Sequence, residues 1–431
     1  MSFINQIQIL FQELFPRTKR NAISFRILLG ILCVSTNCKL PELNATCDPN
    51  SKNFFLSSLV TNSQICFNLN SGNSDPLNTL YLVDRANGLI YFYNTGNDGV
   101  LTPIGSIPTP SANPAPMFAL WNGKHLVTNG VNSFRSFLRN PDGSLTFKND
   151  YTSTNIPVFM QGSSAFHSSG KFFYYTTSPS VASFSKLQID ESGTFFGEVN
   201  TTEPNRFWYV LSPIHPTQNY FMTFHKDSLG ITRIFYPISD LNTGTLGVST
   251  NSNTITQGDL YPENGNCVYS LNANFMYCAN ITNQTNAGRI VQFAVTPTTN
   301  TLIGTSILVQ SVDSFQSPKS VVLHPSGNYI YAYGNTNIYA YSVDQTTGII
   351  NPAPISVTPT PGGTSCPTNV NISRMAIHPK GNMLYAVCVA NTATNQLGSY
   401  PIRSNGQLSS PSLLPIPNNT NSMTLLFVEG K

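Results

Sequence analysis

The residues with the most evident capacity for chemistry are a few charged side chains in a chain that has very few of them. Charged residues make up 10% of the 431, so those at corresponding places along the chain stand out. Four basic residues lie just before short apolar runs, or in loops between such runs: Arg85, Arg206, Lys319 and Arg374. Cationic side chains that converge on one place would bind an anionic ligand such as a sugar acid. Solvated charges scattered over the surface are the alternative interpretation.

Two further side chains could supply a general base beside these cations. Glu263 precedes an apolar run, and His225 lies in or beside a loop between two runs. A carboxylate or an imidazole can take a proton from water, and an arginine can stabilise the oxyanion that forms when this water attacks an ester carbonyl. Ester hydrolysis is therefore one chemistry that these residues could carry out.

A row of histidines is a second candidate site, but its context predicts a structural role. The four members each follow a short apolar run: His167, His215, His324 and His378. They could suggest a metal, but the recurring surroundings, as in His324-Pro325-Ser326-Gly327, are those of a tight turn. The sequence contains no HExxH, no paired zinc-type cysteines, no glycine-rich phosphate loop and no GxSxG. Neither a metal nor a cofactor is predicted.

These residues belong to a repeated unit, of which residues 317–350 are the clearest copy. Val321 to Leu323 is an apolar run that ends at the histidine turn. Two runs with aromatic and β-branched residues on alternate positions follow, Tyr329 to Tyr333 and Ile338 to Val343, and the Gly-Asn turn between them indicates a hairpin. A fourth run begins after Gly348. Each copy thus predicts a small antiparallel sheet of four strands with two apolar faces.

The number of copies and their ends predict the architecture. Glycines that close the third strand recur in six copies, and Asn300 stands in the remaining one: Gly99, Gly143, Gly193, Gly244, Gly348 and Gly406. The first copy begins at Leu80 to Val83 without an innermost strand, whereas Ser422 to Val428 is left over after the seventh. Repeats of this length typify radial arrays. The sequence therefore predicts an all-β fold over residues 79–431: a seven-bladed β-propeller of four-stranded antiparallel blades, closed by the C-terminal strand pairing in blade one.

The repeats also resemble a known group. HPSGNYIYAYGNTNIYAYSVDQTTGII and AIHPKGNMLYAVCV are similar to the repeats of the seven-bladed lactonase-type propellers, which include 6-phosphogluconolactonase-like and YVTN-repeat proteins. The resemblance covers residues 79–431 and implies the fold and a lactonase-like activity. In such propellers the histidine turns lie on one rim, and the charged candidates surround the axial funnel at the other.

The N-terminal region predicts export and a membrane anchor. Residues 1–37 read as a signal peptide, in which basic residues precede an apolar segment, Ile27 to Val34, too short to span a membrane as a helix. The next residues resemble a loose lipobox, which predicts lipidation of Cys38; an ordinary signal peptide with Cys38 in a disulfide is the alternative. Residues 38–78 are predicted to be a lipidated tether with a short helix at Phe54 to Val60.

Six cysteines after Cys38 support export, because disulfides persist in oxidising compartments. Neighbouring predicted strands, and the tether, suggest three pairs: Cys47 with Cys66, Cys267 with Cys278, and Cys366 with Cys388. Buried reduced thiols are the alternative.

The charge balance argues against one class of partner. The 22 basic and 19 acidic residues nearly cancel, so nucleic-acid binding is not expected. The first functional hypothesis is an exported lipoprotein of the cell envelope, in the periplasm, outer membrane or at the cell surface. Its propeller would be a monomeric scaffold for a protein or an anionic small molecule. The second is a lactonase-like hydrolase acting on a sugar-acid lactone in the axial funnel.

Overall fold

A computed structural model describes most of the repeat region. The residues described are 78–84, 87–109, 117–120, 123–130, 133–153, 164–167, 169–178, 183–202, 209–215, 220–227, 230–255, 267–281, 288–295, 302–303, 308–309, 320–334, 336–361, 375–388, 396–416 and 423–429. The chain divides into two units, residues 1–74 and 75–431, and all of the described residues belong to the second. The predicted signal peptide, tether and short helix lie outside the described residues.

Every secondary-structure element in the described part of the chain is a β-strand, and these strands form seven antiparallel sheets. From the innermost strand outward, blade one contains β30 (Met423–Val428), β1 (Thr79–Asp84), β2 (Leu89–Thr95) and β3 (Leu101–Pro108). Blade two contains β4 (Met117–Leu120), β5 (His125–Gly130), β6 (Ser133–Arg139) and β7 (Leu145–Thr152). Blade three contains β8 (Ser164–Phe166), β9 (Phe172–Ser178), β10 (Ser183–Ile189) and β11 (Phe195–Thr202).

Blades four and five differ from the others in having a divided outer strand. Blade four contains β12 (Tyr209–Leu211), β13 (Tyr220–Asp227) and β14 (Gly230–Asp240), with β15 (Thr245–Leu246) and β16 (Thr250–Ile255) sharing the outer position. Blade five contains β17 (Cys267–Tyr269), β18 (Phe275–Ile281) and β19 (Gly288–Val295), with β20 (Leu302–Ile303) and β21 (Leu308–Val309) outside. The expected four strands therefore become five in these two sheets.

The last two blades follow the repeat most closely. Blade six contains β22 (Ser320–Leu323), β23 (Tyr329–Tyr333), β24 (Asn337–Ser342) and β25 (Ser356–Pro359). Blade seven contains β26 (Met375–Ile377), β27 (Met383–Cys388), β28 (Gln396–Pro401) and β29 (Ser412–Pro415). The prediction of an all-β, seven-bladed propeller is confirmed.

The ring closes through the C-terminal strand, as predicted. β30 pairs antiparallel with β1, from Thr79 opposite Val428 to Asp84 opposite Met423. A buried guanidinium from blade two secures this closure: Arg139 Nη1 donates to the carbonyl oxygen of Glu429 at 3.0 Å. Its Nη2 lies 3.4 Å from the carbonyl oxygen of Val428 and from Thr79 Oγ1.

Apolar burial is divided among the gaps between blades. Successive side chains of a strand point to opposite faces, so Leu80 and Leu82 of β1 pack against blade seven, whereas Tyr81 and Val83 pack against blade two. The same division holds around the ring, with one hydrophobic cluster in each of the seven gaps. Strands buried on both faces explain why the sequence shows nearly continuous apolar runs.

A tyrosine at the third position of the second strand ties each of five blades to the next. Its hydroxyl donates to the carbonyl oxygen of the glycine in the following blade's third-to-fourth turn. The pairs are Tyr81 with Gly143 (2.8 Å), Tyr174 with Gly244 (2.6 Å), Tyr277 with Gly348 (2.9 Å), Tyr331 with Gly406 (3.1 Å) and Tyr385 with Gly99 (2.9 Å). These glycines all have positive φ, a conformation that favours glycine. The turn and the tyrosine form one joint between neighbouring blades.

Candidate functional site

The two rims of the propeller are built differently. At the turn rim, defined by the first-to-second and third-to-fourth connections, most turns are short and repeat the same hydrogen bonds. Examples are the bonds from Gly170, Gly327 and Gly381 N–H to the turn histidine's carbonyl oxygen. At the loop rim, defined by the second-to-third and blade-to-blade connections, lengths vary widely. The second-to-third loops range from residues 131–132 to residues 389–395, and the blade-to-blade loops from 203–208 to 360–374.

The predicted site residues were expected in or beside the connections of the loop rim. Five lie outside the described residues: Arg85, Arg206, Glu263, Lys319 and Arg374. In the sequence Arg85 directly follows β1, and Lys319 and Arg374 directly precede the inner strands β22 and β26. Their placement at the ends of strands is therefore set by the chain, whereas their mutual distances stay a prediction.

His225 is the one predicted site residue whose backbone is described. It lies within β13, opposite Tyr209 of β12 and Thr232 of β14. The strand continues to Asp227, so the residue is part of the sheet near the loop rim and not part of the loop itself.

Asp84 is a loop-rim residue that the sequence analysis did not single out. It ends β1, its exposed fraction is 0%, and it is the only acidic residue among the buried side chains that the structure describes. Its Oδ1 accepts a hydrogen bond from Asn87 N–H at 3.1 Å, and its Oδ2 accepts one from Asn87 Nδ2 at 2.8 Å. A charged group after five apolar or β-forming residues, TLYLVD, is the signal that could have revealed it.

The turn histidines have structural roles. In blade six His324 Nδ1 accepts from Ser326 N–H at 3.0 Å, and its Nε2 lies 2.8 Å from the carbonyl oxygen of Gly381 in blade seven. His215 Nε2 makes the same contact, 3.0 Å from the carbonyl oxygen of Ala273. An imidazole that accepts at Nδ1 and donates at Nε2 must be neutral. The described residues include no group of His, Cys, Asp and Glu side chains arranged to hold a metal ion.

Burial favours the neutral form of several imidazoles at this rim. Desolvation lowers the pKa of His215 and His378, and it also lowers the pKa of His125, which begins the second strand of blade two. His125 Nε2 lies 2.8 Å from the carbonyl oxygen of Glu191 in blade three. Blade two has Val127 where five of the other blades have the joint tyrosine, and the contact of His125 is one of its links to blade three.

A half-buried carboxylate joins blades two and three. Glu198 of β11 accepts hydrogen bonds from Tyr151 (2.7 Å), Ser153 (2.6 Å) and Tyr175 (2.5 Å). Burial and the neighbouring Glu198 raise the pKa of Tyr151 to about 12, and burial, followed by the same carboxylate, raises the pKa of Tyr175. Both phenols therefore remain hydrogen-bond donors at neutral pH. The cluster is suited to holding two blades together rather than to catalysis.

The cysteines of blade five form a disulfide. Cys267 and Cys278 are register partners in the first two strands, with Cα atoms 4.1 Å apart. Cys388, at the end of β27, is also disulfide-bonded, and its predicted partner Cys366 lies outside the described residues. Cys38, Cys47 and Cys66 lie outside them too. The part of the chain that the structure describes has no helix long and apolar enough to cross a bilayer.

The fold, but not the sequence, has clear counterparts. No protein-family profile and no curated protein matches the chain. A periplasmic gluconolactonase of Pseudomonas aeruginosa matches with a TM-score of 0.57 and 14% identity, over 82% of this chain and 99% of that one. A protein from Bacteroides fragilis, provisionally named a 6-phosphogluconolactonase, gives 0.59 and 14% over 82% and 98%. A protein of unknown function from Desulfotomaculum acetoxidans gives 0.60 and 12% over 82% and 100%. The chain therefore has the seven-bladed fold of the lactonase-type β-propellers.

Proposed function

We propose that this protein is an exported lipoprotein of the cell envelope whose propeller is a rigid, non-enzymatic scaffold that binds an anionic small molecule at the loop rim. The contrast between the two rims carries the proposal. Turn-rim polar groups such as the joint tyrosines are engaged in holding blades together. The connections of the loop rim instead vary in length from blade to blade, and the cationic residues are predicted to lie in or beside them. Loops of variable length on a constant frame are where propeller-like scaffolds bind their ligands.

Export is supported by the cysteines. The Cys267–Cys278 disulfide would not persist in a reducing cytosol. Metabolic labelling with a fatty-acid analogue tests the anchor. Label should be lost in Cys38→Ala and retained in Cys33→Ala, a matched control within the signal segment. Equal labelling of both variants, or none in the unaltered protein, would exclude lipidation at Cys38.

Ligand binding can be tested by calorimetry with a panel of sugar acids, beginning with gluconate. Arg374→Ala and Arg206→Ala should each weaken binding, because each removes a cation from the loop rim. Arg403→Ala is the matched control, since Arg403 is an exposed turn-rim arginine that hydrogen-bonds Ser409. A loss of affinity as large in Arg403→Ala as in the loop-rim variants would contradict the assignment of the binding face.

A lactonase-like hydrolase is the second candidate, and the fold shared with the periplasmic gluconolactonase of Pseudomonas aeruginosa favours it. Glu263 or His225 would take a proton from water as the water attacks the lactone carbonyl. Arg206 or Arg374 would stabilise the oxyanion. As the tetrahedral intermediate collapses, the bond to the ring oxygen breaks and this oxygen takes the proton back from Glu263 or His225, which gives the open sugar acid.

Hydrolysis of δ-lactones separates the two candidates. Turnover by the unaltered protein that is abolished in Arg374→Ala, and in Glu263→Gln or His225→Asn, but kept in Arg403→Ala would reject the non-enzymatic scaffold. A protein that binds sugar acids but hydrolyses no lactone of the panel would reject the hydrolase.

A further inference from the structure

His378 is a fully buried imidazole with one unpaired nitrogen. Its exposed fraction is 0%, and its Nε2 has no hydrogen-bond partner among the described residues. The corresponding imidazoles of blades four and six place Nε2 3.0 Å from the carbonyl oxygen of Ala273 and 2.8 Å from that of Gly381. Both acceptors belong to the first-to-second turn of the next blade. The missing contact at His378 therefore needs a structural explanation.

The explanation lies in the closure of the ring. Blade seven is followed by blade one, whose first and second strands, β30 and β1, come from opposite ends of the repeat region and are not joined by a turn. Blade one therefore offers no carbonyl oxygen of a first-to-second turn. The imidazole instead meets the closing strand: the rings of His378 and Phe427 of β30 pack edge to face, with 5.2 Å between their centroids. Phe427 also stacks on Tyr385 of blade seven.

The hydrogen bond within the turn determines which nitrogen carries the proton. Lys380 N–H donates to Nδ1 of His378 at 3.2 Å, so the neutral ring has its proton on Nε2. A second proton would have to bind Nδ1, and it would break this hydrogen bond. It would also create a buried cation whose Nε2–H has no acceptor, which is costly. Water can reach such a cation only if the packing against Phe427 opens.

The charged groups around His378 do not compensate for this cost. Desolvation has the largest effect and lowers the pKa of His378, and Lys380 on the same turn lowers it further. The carbonyl oxygen of Gly96 acts in the opposite direction, although it lies near the ring without the geometry of a hydrogen bond. The carboxylates of Glu429 and Asp98, both in blade one, also favour the cation. The net result is a buried imidazole that resists protonation.

From this arrangement we propose that His378 makes the closing seam of the ring, the contact between blade seven and β30, sensitive to acid. At neutral pH the uncharged imidazole packs against Phe427 and the seam is closed. Below about pH 6.5, a hydrated His378 in the opened seam binds a proton that the buried ring does not, so the opening of β30 becomes more favourable. The proposal concerns the frame of the propeller and does not depend on the proposed ligand.

Hydrogen exchange of the full chain, measured between pH 7.5 and 5.5 and corrected for the pH dependence of intrinsic exchange, tests the seam. The opening of β30 should increase by up to about tenfold over this range, while that of β23 in blade six should not change. His378→Asn should abolish the response, because asparagine does not titrate. Its amide oxygen can still accept from Lys380 N–H, as Asn405 Oδ1 accepts from Gln407 N–H. His324→Asn is the matched control and should leave the response of β30 intact.

Three results would overturn the proposal. The first is an opening of β30 that does not vary with pH in the unaltered protein. The second is an equal response of β23, which would mean that acid loosens the whole ring. The third is a response that persists in His378→Asn. If this variant does not fold, an NMR titration of the unaltered protein replaces it, and a His378 imidazole that is protonated at pH 5.5 while β30 stays protected would contradict the proposal.

Discussion

Replacing Arg139 by methionine should loosen the closure of the ring. Arg139 is the last residue of β6 and only 6% exposed, and its guanidinium binds the end of β30. In the other blades whose register is described, the corresponding residues are uncharged: Thr95, Ile189, Val295, Val343 and Ile402. The blade therefore accepts an apolar side chain here. The arginine lies where no turn connects the first and second strands, because β30 and β1 of blade one are far apart in the chain.

The expected cost follows from three contacts of unequal quality. The 3.0 Å bond from Nη1 to the carbonyl oxygen of Glu429 is charge-assisted and contributes about 1.5–3 kcal/mol, whereas the two 3.4 Å contacts of Nη2 add little. Methionine also avoids the desolvation of a buried guanidinium, which offsets part of the loss. We expect the free energy of unfolding to fall by about 2 kcal/mol.

Hydrogen exchange gives this prediction a local readout. The amides of β30 should exchange about 30-fold faster in Arg139→Met, the factor that corresponds to 2 kcal/mol, while those of β23 in blade six should not change. Arg403→Met, at an exposed arginine with a bond to Ser409 Oγ, should alter stability by no more than about 0.5 kcal/mol. Unchanged exchange of β30 in Arg139→Met would refute the view that this residue secures the closure.

Three further predictions concern the turn rim. Tyr385→Phe should lower the free energy of unfolding by about 1–2 kcal/mol, because it leaves the carbonyl oxygen of Gly99 without the tyrosine's hydrogen bond. Urea unfolding should show a smaller decrease for Tyr329→Phe, whose hydroxyl donates a hydrogen bond at the surface. Equal decreases in the two variants would contradict the proposed role of the tyrosine–glycine joint. The free energy of unfolding should fall as the pH drops below about 6.5. Burial lowers the pKa of His125, His215 and His378 in the folded protein, so below this pH the unfolded chain binds more protons than the folded one. The decrease is at most about 1.4 kcal/mol per pH unit for each histidine. Urea midpoints that do not change between pH 7.5 and 5.5 would contradict this. Ala273 occupies a turn position with a φ of 58°, a left-handed conformation that strains residues other than glycine. Ala273→Gly should therefore raise the free energy of unfolding by up to about 1 kcal/mol. A variant less stable than the unaltered protein would show that the packing of the methyl group outweighs this backbone strain.

The sequence was sufficient to predict the blades, their number and the closing strand, because each depends on local patterns. Alternating aromatic and β-branched residues predict the strands, and the leftover run at Met423 to Val428 fits the vacancy beside β1. The joint tyrosines were also visible, as the third residue in TLY, FFY, FMY, YIY and MLY. The carbonyl oxygen that accepts the hydrogen bond of each tyrosine could not be identified from the sequence, because it belongs to a glycine of the next blade.

Features that depend on contacts between blades escaped the sequence analysis. Arg139 and Glu198 sit in ordinary strand patterns, and nothing next to them in the chain indicates what they bind. His225 was expected in or beside a loop; its backbone lies in β13, two residues before that strand ends at Asp227. The candidate cations were found by their position relative to strands, which does not determine the distances between loops of different length.

The partition of apolar burial into seven separate gaps has a consequence for how such a chain can evolve. Each blade is constrained by two neighbours only, as in linear repeat proteins. One blade can therefore lose a characteristic residue of the repeat while the other blades retain theirs. Blade five has Ser270 where blades three, four, six and seven have the turn histidine, and blade two has Val127 in place of the tyrosine. Because the effect of each substitution is limited to one gap between blades, the sequence can diverge while the fold is kept, as in the structural counterparts that are 12–14% identical in sequence.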